Sequence, residues 1–203
     1  MTGILSLAMV VALAGAASPA GPEAASMNRT DAGKATVERD AVRLDATFDV
    51  DATSRRLRVR YHLHNGGDAA LAVFDRGDTL AVAQGRLTPG TVGAPATEQG
   101  ADGLSLQHRA VPLRRPAPTV PPVPLAARLA PGDGLDGEFH ADVGEAVRVR
   151  YCLAVAPFDA DRFSAWQHAE GIDLWRASFD VVGRQWTLCT PWFDVADGRF
   201  LPP

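Results

Sequence analysis

The chain has 203 residues, of which 46% are hydrophobic and 22% are charged, and its formal net charge at pH 7 is −4. This hydrophobic content is enough for the core of one ordinary domain. The negative balance argues against a nucleic-acid partner, because a phosphate-binding face needs a basic surplus. Nineteen glycines and 15 prolines, many of them between apolar segments, favour an all-β protein.

The first segment of the chain is apolar, at residues 4–17 (ILSLAMVVALAGAA). It is shorter than the roughly 20 residues of a membrane-spanning helix. Small residues and Pro19 follow it, as in a secretory signal. We therefore predict a signal peptide at 1–20, a linker at 21–40 and a periplasmic or secreted location, with no stable membrane span after cleavage. The alternative is a buried strand or helix of the fold.

Two alternating segments come next, at residues 42–50 (VRLDATFDV) and 57–64 (LRVRYHLH). In the second, Leu57, Val59, Tyr61 and Leu63 would point inward and Arg58, Arg60, His62 and His64 outward. Alternation of this kind predicts half-buried antiparallel strands. The turn that begins at Asn65-Gly66 predicts a hairpin that returns through residues 70–74.

The middle of the chain, residues 84–124, is predicted as an insertion. It contains one short candidate strand, at 104–108, and a proline-rich loop at residues 111–124 (VPLRRPAPTVPPVP). Proline removes a donor from the sheet ladder, so the proline-rich loop should be extended or polyproline-like rather than part of a central sheet.

After the insertion, alternation and turn residues predict strands at 126–130, 135–141 and 147–155. A further hairpin is predicted from residues 175–182 and 185–193. Residues 159–170 are predicted as the one helix, because Asp159 or Asp161 could cap it and Phe163 and Trp166 would share a face.

The segments LRVRYHLHNGGDAALAVFD and RLAPGDGLDGEF resemble those of bacterial immunoglobulin-like domains. In that family an alternating strand ends in an Asn-x-Gly turn, and a later strand follows a Pro-Gly-Asp/Glu turn. The resemblance implies an immunoglobulin-like antiparallel β-sandwich over 41–195, followed by a tail at 196–203. A protease-inhibitor branch of such domains has a similar layout.

The cysteines and histidines are the candidates for chemistry. Two cysteines in an exported chain most simply form one disulfide, Cys152–Cys189. Both are predicted on the polar side of their strands, and the bridge would be worth about 4 kcal/mol. His62 and His64 share a strand face at a spacing that copper and zinc sites use, and His108 and His140 could complete a site. Arginine neighbours disfavour a bound dication, so a solvated polar face is the alternative.

No enzyme signature is present, so no catalytic residue and no cofactor is assigned. Four tryptophans lie in the last 40 residues. They could fill the core, with Trp186 the clearest core candidate, or could anchor a ligand, with Trp192 the best candidate for partial exposure. We expect a monomeric, non-catalytic interaction or accessory module whose partner is an unknown protein or envelope component. The alternatives are a protease inhibitor that presents the loop 111–124, and a metal-binding protein that uses His62 and His64.

Overall fold

The computed structural model describes residues 33–51 and 53–202. Strands predominate in this part of the chain, and one short α-helix, α1 (Thr79–Ala83), is present. The strands are β1 (Gly33–Arg39), β2 (Val42–Asp51), β3 (Arg56–Asn65), β4 (Leu71–Val73), β5 (Ala96–Gln99), β6 (Leu104–His108), β7 (Leu125–Leu129), β8 (Gly134–Asp142), β9 (Arg148–Pro157), β10 (Phe163–Ala169), β11 (Ile172–Ala177), β12 (Trp186–Cys189), β13 (Phe193–Asp194) and β14 (Arg199–Phe200). The predicted all-β class is confirmed.

The first sheet has four antiparallel strands in the order β1-β2-β3-β8. Its regularity follows from the alternating sequence. The inward set Leu57, Val59, Tyr61 and Leu63 is at most 4% exposed. The residues between them face solvent or are half-buried, so the predicted inward and outward assignment of β3 is confirmed.

The second sheet is larger and is organised around β9. One edge of β9 pairs with β4 and, in parallel, with β6. The other edge pairs with β12 and β13. From β4 the sheet continues through β7 and β11 to β10. Because β9 has partners along both edges, it holds together strands from distant parts of the sequence.

The hydrophobic core lies between the two sheets. Buried residues of β2, β3 and β8 form one cluster with buried residues of β4, β6, β7, β9, β12 and β13. A second, smaller cluster includes Ala72, Ala126, Ala154 and Ala156, which alternate with residues of the main cluster along β4, β7 and β9. The centre of the second sheet is therefore buried on both faces.

Several sequence predictions need correction at the ends of the domain and in its one predicted helix. Residues 33–39 form β1, so the predicted linker is wrong over this stretch, and β14 extends the sheet into the predicted tail. The predicted signal peptide (residues 1–20) and the remainder of the predicted linker (residues 21–32) lie outside the described residues. The predicted helix at 159–170 is wrong, because Ala160–Arg162 forms one 3-10 turn and β10 follows. Trp166, which was predicted to share a helix face with Phe163, is the extra residue at a bulge in β10.

Both predicted hairpins after β3 are also wrong. β3 and β4 belong to different sheets, because buried Asn65 turns the chain from one to the other. Its side-chain amide donates to the carbonyls of Ala69 (2.9 Å) and Leu129 (3.3 Å). Near the C-terminus, β11 pairs with β10 and β7, whereas β12 pairs with β9. A 3-10 segment, Phe179–Gly183, separates β11 from β12.

Candidate interaction surface and the buried network beside it

The two cysteines form a disulfide, as predicted, with an S–S distance of 2.14 Å. Cys152 and Cys189 lie directly opposite each other in the β9–β12 pair, and their Cα atoms are 4.0 Å apart. The prediction that Cys152 lies on the polar side of its strand is wrong, since it is only 4% exposed. Sequence alternation along β9 could not show this, because both faces of that strand are buried. The bridge therefore fastens β12 to the most central strand of the second sheet.

The structure does not bring the four candidate histidines together. Nδ1 of His62 lies 2.8 Å from Asp136 Oδ1 on the exposed face of the first sheet, where His64 is half-buried. His140 is exposed on β8, and His108 is buried in the core at 4% exposure. Among residues 33–51 and 53–202 there is no group of three or more side chains placed to hold a metal ion.

A buried polar network was missed by the sequence analysis. It consists of Tyr61, Asp75, Arg76, His108 and Tyr151, all of which are at most 4% exposed. Tyr61 Oη donates to Asp75 Oδ2 at 2.5 Å. Arg76 Nε lies 3.1 Å from Asp75 Oδ1, an ion pair whose angle does not make a hydrogen bond. Two charged residues directly after the apolar segment 70–74 were the signal that could have revealed this cluster.

The directions of the two hydrogen bonds at His108 follow from the contact of its ring with a backbone carbonyl. Gly93 O can only accept, so His108 Nε2 donates to it at 2.9 Å. His108 Nδ1 then accepts from Tyr151 Oη, also at 2.9 Å. Burial lowers the pKa of His108 and keeps the ring neutral, which this arrangement requires. The pKa values of Tyr61 and Tyr151 are raised well above 10.0, first by burial and then by the charge of Asp75.

The network ties the insertion to the core. Arg76 donates to Gly90 O (3.0 Å) and to Asp136 O (3.4 Å), and His108 bonds Gly93 O. Gly137 makes room for this arrangement, because a Cβ atom there would overlap the Tyr61 ring. The insertion therefore has a fixed base, and His108 is the last residue of β6 before the chain enters the loop.

The proline-rich loop (residues 111–124) is held at both ends. On one side, Ala110 N donates to Gln185 Oε1 (3.0 Å), and Gln185 Nε2 donates to Ala110 O (2.8 Å). On the other side, Thr79 N donates to Val123 O and Ala177 N to Pro124 O, both at 2.9 Å. The loop between these anchors forms no strand, as predicted.

Between its anchors the proline-rich loop is exposed. Val111 and Val120 are 41% and 58% exposed. Arg114 and Arg115 are exposed as well, and within the described part of the chain neither lies within ion-pair distance of a carboxylate. Together with Arg109, the segment 109–124 carries three arginines and no acidic residue. It is a basic, partly apolar, exposed segment of a chain with a net negative charge.

The four tryptophans are all half-buried. Trp186 packs against the main core cluster and Trp175 against the smaller one, so Trp186 contacts the core as predicted without being fully enclosed. The guanidinium of Arg150 lies 4.5 Å above the ring of Trp192, which fits a cation–π contact.

No family model, no curated protein and no solved structure matches this chain. The resemblance to immunoglobulin-like domains therefore stays a prediction. Among the described residues, no helix has the length and apolar character needed to cross a membrane. The disulfide is compatible with an oxidising compartment.

Proposed function

We propose that this chain is an exported, non-catalytic interaction or accessory module of the cell envelope, acting as a monomer, and that the proline-rich loop is its interaction surface. The observation that supports this most directly is the combination of fixed ends and an exposed centre. Gln185 holds one end and β7 continues from the other, while residues 111–120 are largely exposed and form no strand. A loop stiffened by proline loses little conformational entropy when it binds, which favours recognition.

Export is supported by the apolar segment at 4–17 and by the disulfide. Disulfides persist in oxidising compartments and are rare in the cytosol. We expect the mature protein to begin between Ala17 and Gly21 in the periplasm or the medium. N-terminal sequencing of native protein checks this, and an intact Met1 on a cytosolic protein would contradict export.

The protease-inhibitor alternative fits the loop less well. A segment that docks as an extended strand uses its main-chain donors along its length. Pro112, Pro116 and Pro118 have no such donor, and the backbone bends at 115–116 and again at 119–120. The metal-binding alternative is also less well supported. Nδ1 of His62 contacts Asp136, and among the described residues no group of three or more side chains is placed to hold a metal ion. Inhibition of a protease panel and elemental analysis of purified protein test these alternatives.

Binding to isolated envelope tests the proposed function. The purified mature protein and its Arg114→Gln/Arg115→Gln variant are incubated with envelope fractions from the native cells, and the bound protein is measured. The matched control is Arg56→Gln/Arg60→Gln, which removes the same charge from the exposed face of β3. We expect the loop variant alone to lose binding. Equal binding by all three proteins would contradict the proposal that the loop is the interaction surface.

A further inference from the structure

The chemistry of the proline-rich loop narrows the kind of envelope component that it fits. Apart from Thr119, its exposed side chains are cationic or apolar, and its six prolines leave six backbone positions without an N–H group. Strand addition to a partner's sheet needs regular donors, which this loop lacks. Recognition as a polyproline helix needs a continuous helix, whereas this backbone bends twice and Val123 N turns back to Pro121 O at 3.0 Å.

A third mode of recognition combines charge with shallow apolar contact. Unlike strand addition, it needs no fixed register. Arginine pairs with phosphate oxygens through two parallel hydrogen bonds. Arg114 and Arg115 are adjacent and exposed, and neither forms an ion pair with a carboxylate of the described residues. Two of the three large apolar side chains that are exposed among the described residues, Val111 and Val120, belong to the same loop. Exposed apolar groups beside cations are typical of segments that lie at a membrane interface.

We propose, as an extension of the function proposed above, that the proline-rich loop docks on the phosphate headgroups of an anionic membrane surface. Arg109, Arg114 and Arg115 supply the electrostatic attraction, while Val111 and Val120 contact the boundary of the acyl region. The loop lies at headgroup depth, because its unpaired carbonyl groups need water or polar partners. Each arginine near such a surface contributes about a fivefold gain in affinity. Three of them give weak, reversible attachment.

Vesicle binding tests this inference with defined components. The mature protein is sedimented with vesicles of phosphatidylglycerol and phosphatidylcholine, and with vesicles of phosphatidylcholine alone. We expect binding to the anionic vesicles only. Binding should be about thirty-fold weaker for Arg114→Gln/Arg115→Gln and nearly unchanged for Arg56→Gln/Arg60→Gln. Thermal melts of both variants check that each is folded.

Two further measurements separate the sources of phosphate and the role of charge. Raising the salt from about 0.05 M to about 0.5 M, which shortens the Debye length about threefold, should release the protein. Inorganic phosphate at equal ionic strength should act no better than chloride, since the surface is what the loop recognises. Displacement by phosphate alone would overturn membrane docking in favour of a free-phosphate site.

The failure of this inference can be told apart from the failure of the proposed function. No binding to anionic vesicles, or an equal loss in the β3 control, would overturn membrane docking. If loop-dependent binding to isolated envelope persisted in that case, the interaction module would stand and its partner would be a protein. If binding to vesicles and binding to isolated envelope were both independent of the loop, the proposed function would be contradicted as well.

Discussion

Replacing Asp75 by alanine is the sharpest test of the buried network. The Asp75 side chain is fully buried and that of Arg76 is 3% exposed. Removing the carboxylate leaves the Arg76 charge enclosed without a counter-charge, and it deprives the Tyr61 hydroxyl of its acceptor. Breaking a buried ion pair in this way costs about 3–5 kcal/mol. Since domains of this size are stable by only about 5–15 kcal/mol, the loss should be obvious.

Urea denaturation followed by tryptophan fluorescence measures the free energy of unfolding, since four tryptophans lie in the last 40 residues. The double variant Asp75→Ala/Arg76→Met removes both charges, so we expect it to be more stable than Asp75→Ala alone. A matched control is Glu138→Gln, which breaks an exposed ion pair with Arg58 at 2.7 Å. That change should cost much less, because water already solvates both groups.

Two results would refute the reasoning about this network. The first is a Glu138→Gln variant as unstable as Asp75→Ala, which would mean that burial does not set the cost. The second is a double variant whose loss of stability equals the sum of the losses measured for Asp75→Ala and Arg76→Met separately, because groups that interact show non-additive effects.

Three further predictions concern the disulfide, the core and pH. Free-thiol titration of unfolded, unreduced protein should find no thiol, and Cys152→Ala should lower the melting temperature by removing a bridge to Cys189 worth about 4 kcal/mol; two thiols per chain would contradict this. Leu63→Ala should lower the free energy of unfolding by about 2–5 kcal/mol, because Leu63 is fully buried, whereas His62→Ser should change it by no more than about 0.5 kcal/mol. If denaturant melts showed His62→Ser to be the more destabilising change, the inward and outward assignment of β3 would be contradicted. The folded-state pKa of His108 is lowered from 6.5, so the unfolded chain binds more protons and stability should fall as pH drops below about 6.5. In melts between pH 7 and pH 5, the stability of His108→Gln should fall less steeply with pH than that of the unmodified protein. An unchanged slope would contradict the role of His108 in the acid dependence.

Sequence alternation was sufficient to predict side-chain orientation in strands that have one face in contact with solvent. β2 and β3 fit this description, and the positions of Leu57 to Leu63 followed directly from period two. It was insufficient for β9, where Cys152 is as buried as its apolar neighbours because a second cluster covers that face. An alternating pattern reports contact with water and cannot show which of two apolar layers a side chain meets.

Strand partners were harder to predict than strands. Asn65-Gly66 is a strong local signal for a tight turn, yet the buried amide of Asn65 bonds carbonyls from residues 69 and 129. The partner at residue 129 is 64 residues away, so no local window contains it. Asp75 and His108 were missed as a site for the same reason, since they lie 33 positions apart in the sequence. Asp75 bonds Tyr61 and His108 bonds Tyr151, and the two tyrosine rings pack together with their centroids 5.3 Å apart.

The position of β9 has a consequence for the order of folding. One of its edges takes strands from residues 71–73 and 104–108, and the other takes residues 186–189 and 193–194. These pairings span long stretches of chain, which predicts high contact order and slow folding. A chain that stops before Trp186 would leave one edge of β9 open, and open strand edges promote aggregation. Folding therefore cannot finish until the last strands are made, and the disulfide then locks that edge closed.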